Sequence, residues 1–269
     1  MKNTIDVFEQ IARLKREGCE AVLATIIEGD HGSPGKVGFR MLVHSDGLTS
    51  GTVGGGLLEV KVREEALRCL QEKNTKLVEF TLDEQSAEGI GMQCGGKVKV
   101  FFEMIEPAPK LHVFGGGHIA VPLVQFAKLL DYVVIIVDNR EEFANKQRFP
   151  LADRVESEDY AEAMKSLQFS KRDCVVIITH GHEYDKVVLK ECLAKRTLPG
   201  YIGMIGSRNK ITATFSDLRK QGFSDSLLAR VHAPIGLDIG AKTPAEIALS
   251  IIAEIVADRY GKTANKKSQ

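Results

Sequence analysis

The chain has 269 residues, of which 43% are hydrophobic and 27% charged, a composition typical of a soluble globular protein with room for two domains. Basic and acidic side chains both number 36, so the zero formal net charge predicts neither a nucleic-acid nor an acidic-membrane partner. The five cysteines are widely spaced without a CxxC pair, which argues against a disulfide framework or a zinc ribbon. We see no signal peptide and no apolar run near the ~20 residues of a membrane span, and we expect a cytoplasmic protein.

The first 105 residues predict a small α+β domain. Apolar periodicity, glycine breaks and an Asp-Gly turn mark its elements. The predicted elements are a helix over 4–17, a strand over 21–27, a hairpin turning at Asp46-Gly47, a helix over 57–70, and strands over 76–82 and 97–105.

Residues 106–110, EPAPK, predict an extended linker, after which strands and helices alternate over 111–261. This alternation predicts a Rossmann-type parallel-sheet domain, so the fold class is α/β with a small α+β domain in front. The basic tail 262–269 is expected to be solvated. Predicted strands cover 111–114, 132–137, 153–155, 174–179 and 201–206; predicted helices cover 118–130, 159–167, 183–194, 207–221 and 243–260, the last opened by Thr243, Pro244 and Glu246.

A glycine turn follows the first strand of the second domain. Gly115, Gly116 and Gly117 lie between that strand and a helix, and with Ala120 they match the pattern GxGxxA. Asp138 ends the next strand, where a dinucleotide-binding domain carries an acceptor for ribose hydroxyls. The backbone of such a turn can approach a phosphate closely, and the helix start attracts an anion. The alternative is that the glycines serve packing alone.

A second polar cluster follows the predicted strand over 174–179. His180, His182 and Asp185 should lie at the carboxyl edge of the sheet, near the glycine turn. The spacing would suit a metal, but no further ligand motif accompanies it, and we predict no metal site. Contact with a substrate or cofactor, and simple capping of the next helix, are the other interpretations.

The segment GMIGSRNK predicts another strand-to-helix junction, with Ser207 as its cap and Arg208 beside it. The positive charge at a helix start predicts a second anion position, although a capped helix with a solvated basic face would have the same sequence.

Cys94 lies in a glycine-rich loop, MQCGG, where a thiolate can be exposed and approached closely. We therefore predict a functional thiol there. Cys69, Cys174 and Cys192 fall in helix or strand patterns and are predicted core thiols, while Cys19 is undecided.

Taken together, the motifs resemble the xanthine dehydrogenase accessory factors, the XdhC/CoxI family, over nearly the whole chain. The matching segments are GSPGKVGFRMLV, GTVGGGLLE and GMQCGG in the first part, and LHVFGGGHIA, VDNREEFANKQRFP, THGHEYD, YIGMIGSRNK and APIGLDIGAKTPAEIALSI in the second. The family's functional positions correspond to Cys94, Gly115, Gly117, His118, Asp138, Arg140, His182 and Asp185.

The resemblance implies a maturation factor rather than a catalyst. Such a protein binds molybdenum cofactor (molybdopterin), supports exchange of an oxo ligand for sulfur, and passes the cofactor to a xanthine dehydrogenase-type apo-enzyme. A cysteine desulfurase is a candidate sulfur donor, and a homodimer is expected. Many relatives carry a second cysteine where this chain has Leu57, so a mechanism that needs two N-terminal thiols is in doubt. Two alternatives stay open at this point: an NAD(P)-dependent oxidoreductase and a nucleotide-binding sensor protein.

Overall fold

The computed structural model describes residues 6–30, 35–81 and 96–262. The chain divides into two compact units, Met1–Ala108 and Pro109–Gln269, and each has its own β-sheet. Within the described ranges, no helix is long and apolar enough to cross a bilayer.

The first unit is a five-stranded antiparallel sheet with a helix on each face. Its strand order is β3-β2-β1-β5-β4. The elements, in chain order, are α1 (Val7–Glu17), β1 (Ala21–Gly29), β2 (Arg40–His44), β3 (Thr49–Gly51), α2 (Gly56–Glu72), β4 (Lys76–Thr81) and β5 (Lys97–Ile105).

Strand β1 is apolar along most of its length because both faces of the sheet are covered. Val22 and Ile26 pack into the core under α2, whereas Ala21 and Leu23 pack with Leu14 of α1. Both predicted helices are confirmed, and each begins and ends within three residues of its predicted bounds.

The second unit is a six-stranded, fully parallel sheet with helices on both faces, which confirms the predicted Rossmann-type fold. Its strand order is β11-β10-β9-β6-β7-β8. The elements are β6 (Lys110–Phe114), α3 (Ala120–Leu129), β7 (Val133–Asp138), β8 (Arg154–Ser157), α4 (Tyr160–Ser166), β9 (Cys174–Ile177), α5 (His182–Leu193), β10 (Tyr201–Met204), α6 (Arg208–Lys220), α7 (Asp225–Leu228), β11 (Val231–His232) and α8 (Pro244–Arg259).

The strand order creates a switch point at β6. The chain builds β7 and β8 on one side of β6 and then crosses to build β9, β10 and β11 on the other. In such a sheet, ligands bind in the crevice outside the carboxyl ends of the strands where the order reverses. That crevice is therefore bordered by the residues that follow β6 and β9.

Candidate functional site

The glycine turn lies at this crevice, and two of its glycines are required by packing. Gly115 has φ +114°, and a Cβ there would stand 2.2 Å from the carbonyl oxygen of Ile178. A Cβ on Gly116 would stand 2.2 Å from the carbonyl oxygen of Phe143. Both distances are far inside van der Waals contact, so neither position admits a side chain without movement of backbone.

Gly117 differs from its neighbours. Its φ is not in the left-handed range, and a Cβ there would have no heavy atom within 4 Å. The following helix, α3, begins without a side-chain cap, and His118 is exposed beside it. Ala120 is fully buried where the helix meets the sheet, as the pattern predicts. The fold therefore leaves open space and a helix start in front of Gly117, the arrangement that suits an anion.

Asp138 is completely buried at the end of β7, and its carboxylate accepts four hydrogen bonds. The Arg140 guanidinium donates through Nε to Oδ1 and through Nη2 to Oδ2, both at 2.9 Å, and the Arg140 backbone N–H donates to Oδ1 at 3.1 Å. The fourth donor is the Gly116 N–H, 2.8 Å from Oδ2. Burial acts to raise the pKa of Asp138, but the hydrogen bonds from Arg140 and Gly116 outweigh it, and the pKa lies below its usual value.

Arg148 contacts the turn directly, although the sequence does not predict it as a site residue. Its Nε donates to the carbonyl oxygen of Gly116 at 2.8 Å, so the Gly116 residue is held at both its N–H and its C=O. The guanidinium carbons of Arg140 and Arg148 lie 3.8 and 5.2 Å from the ring centre of Phe143. Only the position of Arg148 in the segment NREEFANKQRFP could have flagged it, because the loop has no periodic pattern.

The segment after β9 lies against the glycine turn. A Cβ on Gly115 would be 2.9 Å from the Cα of Thr179, so the two strand ends are in contact. Asp185 is buried and accepts from the Thr179 backbone N–H at 3.1 Å and from its hydroxyl at 2.6 Å. Burial raises the pKa of Asp185 against these hydrogen bonds. Asp185 therefore fixes the backbone of the turn that carries His180.

Aromatic rings border this turn. The His180 ring centre lies 4.6 Å from that of Tyr184, which in turn lies 5.6 Å from that of buried Tyr160. His180 is exposed, Tyr184 is 37% exposed, and His182 is half-buried at the first residue of α5. No group of three His, Cys, Asp or Glu side chains in ranges 6–30, 35–81 and 96–262 is arranged to hold a metal ion.

Ser207 caps α6, as predicted. Its hydroxyl accepts from the Lys210 backbone N–H at 3.5 Å, and Arg208 is exposed on the first turn of the helix. This junction follows β10, whose neighbour in the sheet is β9. It is therefore one strand further from β6 than the His180 turn.

Cys94 lies outside the described residues, between Thr81 at the end of β4 and Gly96 before β5. Cys69, Cys174 and Cys192 are buried, which confirms them as core thiols. Burial raises the pKa of both Cys174 and Cys192 to about 12, which keeps these thiols protonated at neutral pH. Cys19 is exposed.

The first unit contains its own three-glycine turn between β3 and α2. Gly54, Gly55 and Gly56 all have positive φ, at +118°, +86° and +61°. Glu59, on the first turn of α2, folds back over it. Its Oε1 accepts from the Val53 N–H at 3.3 Å, from the Gly55 N–H at 3.1 Å, and from the Thr52 hydroxyl. This turn is thus closed by a carboxylate of the protein itself.

Two family descriptions match the chain. The XdhC Rossmann domain matches residues 111–255, and the XdhC and CoxI family matches residues 14–81. The glycine turn, Asp138, Arg140 and the His180 turn all fall inside the first match. A solved structure from Bacillus halodurans, described as a xanthine dehydrogenase, has the same fold, with a TM-score of 0.53, 22% identity and 97% coverage of both chains.

Three curated relatives are also similar. The uncharacterized protein YqeB of Escherichia coli (strain K12) is 32% identical over 94% of this chain, and a probable xanthine dehydrogenase component of Bacillus subtilis (strain 168) is 31% identical over 60%. This chain spans only 46% of the length of each. The molybdenum cofactor insertion chaperone PaoD of Escherichia coli (strain K12) is 23% identical over 90% of this chain and 84% of its own length.

Proposed function

Since the chain belongs to the XdhC and CoxI family, we propose that it binds molybdenum cofactor as cargo and supports its insertion into a xanthine dehydrogenase-type apo-enzyme. The name of PaoD, a molybdenum cofactor insertion chaperone, supports this cargo, and the name of the Bacillus subtilis relative supports this class of recipient. Support of cofactor sulfuration, with a cysteine desulfurase as sulfur donor, and assembly as a homodimer are further parts of the proposal. The protein is a maturation factor in this proposal, not a catalyst.

The observation that carries the proposal is the open space in front of Gly117. Close packing requires glycine at positions 115 and 116. At position 117 a Cβ would meet no atom within 4 Å, so packing does not require glycine there. A phosphate that approaches the uncapped start of α3 would account for it, because a Cβ would stand in its path. Arg148 adds positive charge beside the turn, whereas the charge of Arg140 is offset by that of Asp138. Molybdopterin ends in such a phosphate.

In this proposal, residues of the second unit bind the phosphate and the pterin. The backbone at Gly117 and His118 holds the phosphate, and the rings of His180 and Tyr184 border the flat pterin. For Cys94 of the first unit we propose a thiolate that contacts molybdenum, a soft centre that suits sulfur, or that carries a persulfide. Of the other predicted residues, Asp185 shapes the His180 turn, His182 lies beside it, and Ser207 with Arg208 offers a second anion position.

The first experiment separates the two ends of the cargo. Protein purified without oxygen is extracted for mass spectrometry of its ligand and then titrated with molybdopterin in two forms, with and without molybdenum. We expect Cys94→Ala to weaken binding of the molybdenum-bearing form alone, and Cys19→Ala, which removes an exposed thiol, to bind both forms as the wild type does. If Cys94→Ala bound both forms as tightly as the wild type does, a contact between Cys94 and molybdenum would be refuted.

The second experiment tests the phosphate end. Gly117→Ala should bind both forms of molybdopterin about tenfold more weakly, a loss of about 1.4 kcal/mol. Its stability should stay within about 0.5 kcal/mol of the wild type, because the new methyl group enters open space. Unchanged affinity in Gly117→Ala would refute the phosphate contact at this residue. Activation of a xanthine dehydrogenase-type apo-enzyme by loaded protein tests insertion.

A further inference from the structure

The carboxyl end of β7 is where a dinucleotide-binding domain receives the adenosine ribose. There the terminal carboxylate of the second strand is open to the crevice and accepts the ribose hydroxyls. In this chain the corresponding carboxylate, Asp138, is fully buried. Two of its four hydrogen bonds come from the Arg140 side chain, in a two-point ion pair at 2.9 Å. The acceptor that a ribose would need is already in use within the protein.

The loop after β7 also covers the turn. The carbonyl oxygen of Phe143 packs against Gly116, and Arg148 donates to the carbonyl oxygen of the same glycine. Arg140 lies over the Phe143 ring, 3.8 Å from its centre, which holds the guanidinium beside Asp138. Protein atoms therefore fill the space next to Gly116 and Asp138, while the space next to Gly117 is open.

We propose that Arg140 is a specificity-determining residue: it closes the nucleoside half of the crevice, so that the turn accepts a ligand ending in a phosphate monoester and rejects adenine dinucleotides. The proposal rests on the proposed function, since it concerns the same turn. The glycine pattern and Asp138 leave NAD(P) open as an alternative ligand to molybdopterin. This proposal distinguishes the two ligands. An arginine in this region can also bind the 2′-phosphate of NADP. Here its Nε and Nη2 donate to Asp138 instead.

The test is calorimetric titration of the full chain with NAD⁺ and with NADP⁺. For the wild type we expect no saturable binding of either up to about 1 mM. In Arg140→Ala the Asp138 carboxylate is freed, and saturable NAD⁺ binding should appear with a Kd of about 0.1 mM or lower, at least tenfold tighter than the wild-type limit. Arg219→Ala is the matched control: it also removes a guanidinium from an ion pair, here with exposed Asp225, but leaves the turn and the Asp138–Arg140 pair intact, so its NAD⁺ binding should equal that of the wild type.

Saturable binding of NAD⁺ or NADP⁺ by the wild type in the micromolar range would overturn the proposal. So would an unchanged NAD⁺ affinity in a folded Arg140→Ala. If Arg140→Ala loses its cooperative melting transition, Arg140→Lys decides the same point, because lysine keeps the charge but loses the two-point pairing. A wild-type NAD⁺ affinity in Arg140→Lys then counts against the proposal. The molybdopterin titration is a separate measurement, and its failure would refute the cargo without bearing on the exclusion of dinucleotides.

Discussion

The two units each contain a strand-to-helix turn of three consecutive glycines. The two turns differ in whether a side chain caps the N–H groups that precede the helix. In the first unit, Glu59 folds back so that its carboxylate accepts from the Val53 and Gly55 N–H groups. In the second unit, the start of α3 has no side-chain cap, and the carboxylate of Asp138 accepts a hydrogen bond from the Gly116 N–H. The first turn is capped by a carboxylate of the protein, and the second has no side-chain cap at its helix start, which is where we propose that an external anion binds.

The difference shows that a run of glycines does not by itself predict a binding site. All three glycines of the first turn are needed for their backbone conformation, since φ is positive at each. In the second turn, positive φ occurs only at Gly115, and Gly117 has neither a conformational nor a packing requirement. The informative glycine is the one that the fold itself does not need.

The largest effect should come from Gly115→Ala. The substitution adds a Cβ 2.2 Å from the Ile178 carbonyl oxygen at a residue with φ +114°. Steric overlap and backbone strain together should cost about 4 kcal/mol of the free energy of unfolding. Chemical denaturation followed by fluorescence or circular dichroism of the full chain measures it. A loss below about 1 kcal/mol would mean that the strand ends do not contact each other as described.

Asp138→Asn should have the next largest effect, about 3 kcal/mol, because it leaves the Arg140 guanidinium without its buried partner. The pKa of Asp138 is lowered in the folded state, so its contribution to stability is present above pH ~4 and is lost as the pH falls through the folded-state pKa. The variant should therefore lack this acid-sensitive component. Melting temperatures of both proteins, recorded from about pH 3 to about pH 7, measure it.

Asp153→Asn is the control for that substitution. Asp153 also accepts from a cation and a backbone N–H, namely Lys128 Nζ at 2.7 Å and the Val134 N–H at 2.8 Å, but its side chain is 39% exposed. Its loss should cost less than about 1 kcal/mol. If Asp138→Asn and Asp153→Asn lost the same free energy of unfolding, burial would not be what makes the Asp138 ion pair stabilising.

A smaller effect, about 2 kcal/mol, is expected for Gly55→Ala in the first unit. Its φ of +86° with ψ −178° is a backbone conformation that only glycine adopts readily, but a Cβ there meets no atom within 4 Å. Strain acts here without overlap, so the loss should be about half that of Gly115→Ala. The same denaturation experiment compares the two variants. If Gly55→Ala were as stable as the wild type, the backbone conformation at residue 55 would not require glycine.

The smallest effect should come from Glu59→Ala, at about 1 kcal/mol, through the loss of one acceptor for two backbone N–H groups. Glu59→Gln keeps an acceptor oxygen and should retain at least half of that stability. Thermal melting of the two variants distinguishes them. If both melted together with the wild type, the carboxylate would not be what closes the first turn.

Most of the fold could be predicted from local pattern. The last helix begins where its Thr243, Pro244 and Glu246 signal predicts, and the reciprocal cap forms: the Glu246 N–H donates to Thr243 Oγ1 at 3.3 Å, and Glu246 Oε2 accepts from the Thr243 N–H at 2.8 Å. The sequence pattern does not predict the short elements α7 and β11. Strand β11 has two residues and is defined by its pairing with Ile202 and Gly203, which no periodicity reveals.

Strand β9 shows where local pattern fails at the site. The apolar run predicts a strand as far as Thr179, but the strand ends at Ile177, and the Thr179 N–H donates to Asp185 six residues later instead of to a neighbouring strand. The same limit applies to Asp138. Sequence spacing predicts a carboxylate at the end of β7, but only tertiary structure reveals that it pairs with Arg140 and Gly116. Arg148 reaches the turn from 32 residues away, which no local rule anticipates.

Gly116 has a consequence for the kinetics of ligand binding in the proposed function. Because its N–H is fixed by Asp138 and its C=O by Arg148, this part of the turn loses little conformational entropy when a ligand arrives. Capture then needs no local ordering step, and association should be limited by diffusion and orientation. For the proposed function, we therefore expect differences in affinity between ligands to lie mainly in their dissociation rates, which would set how long each ligand stays bound before transfer.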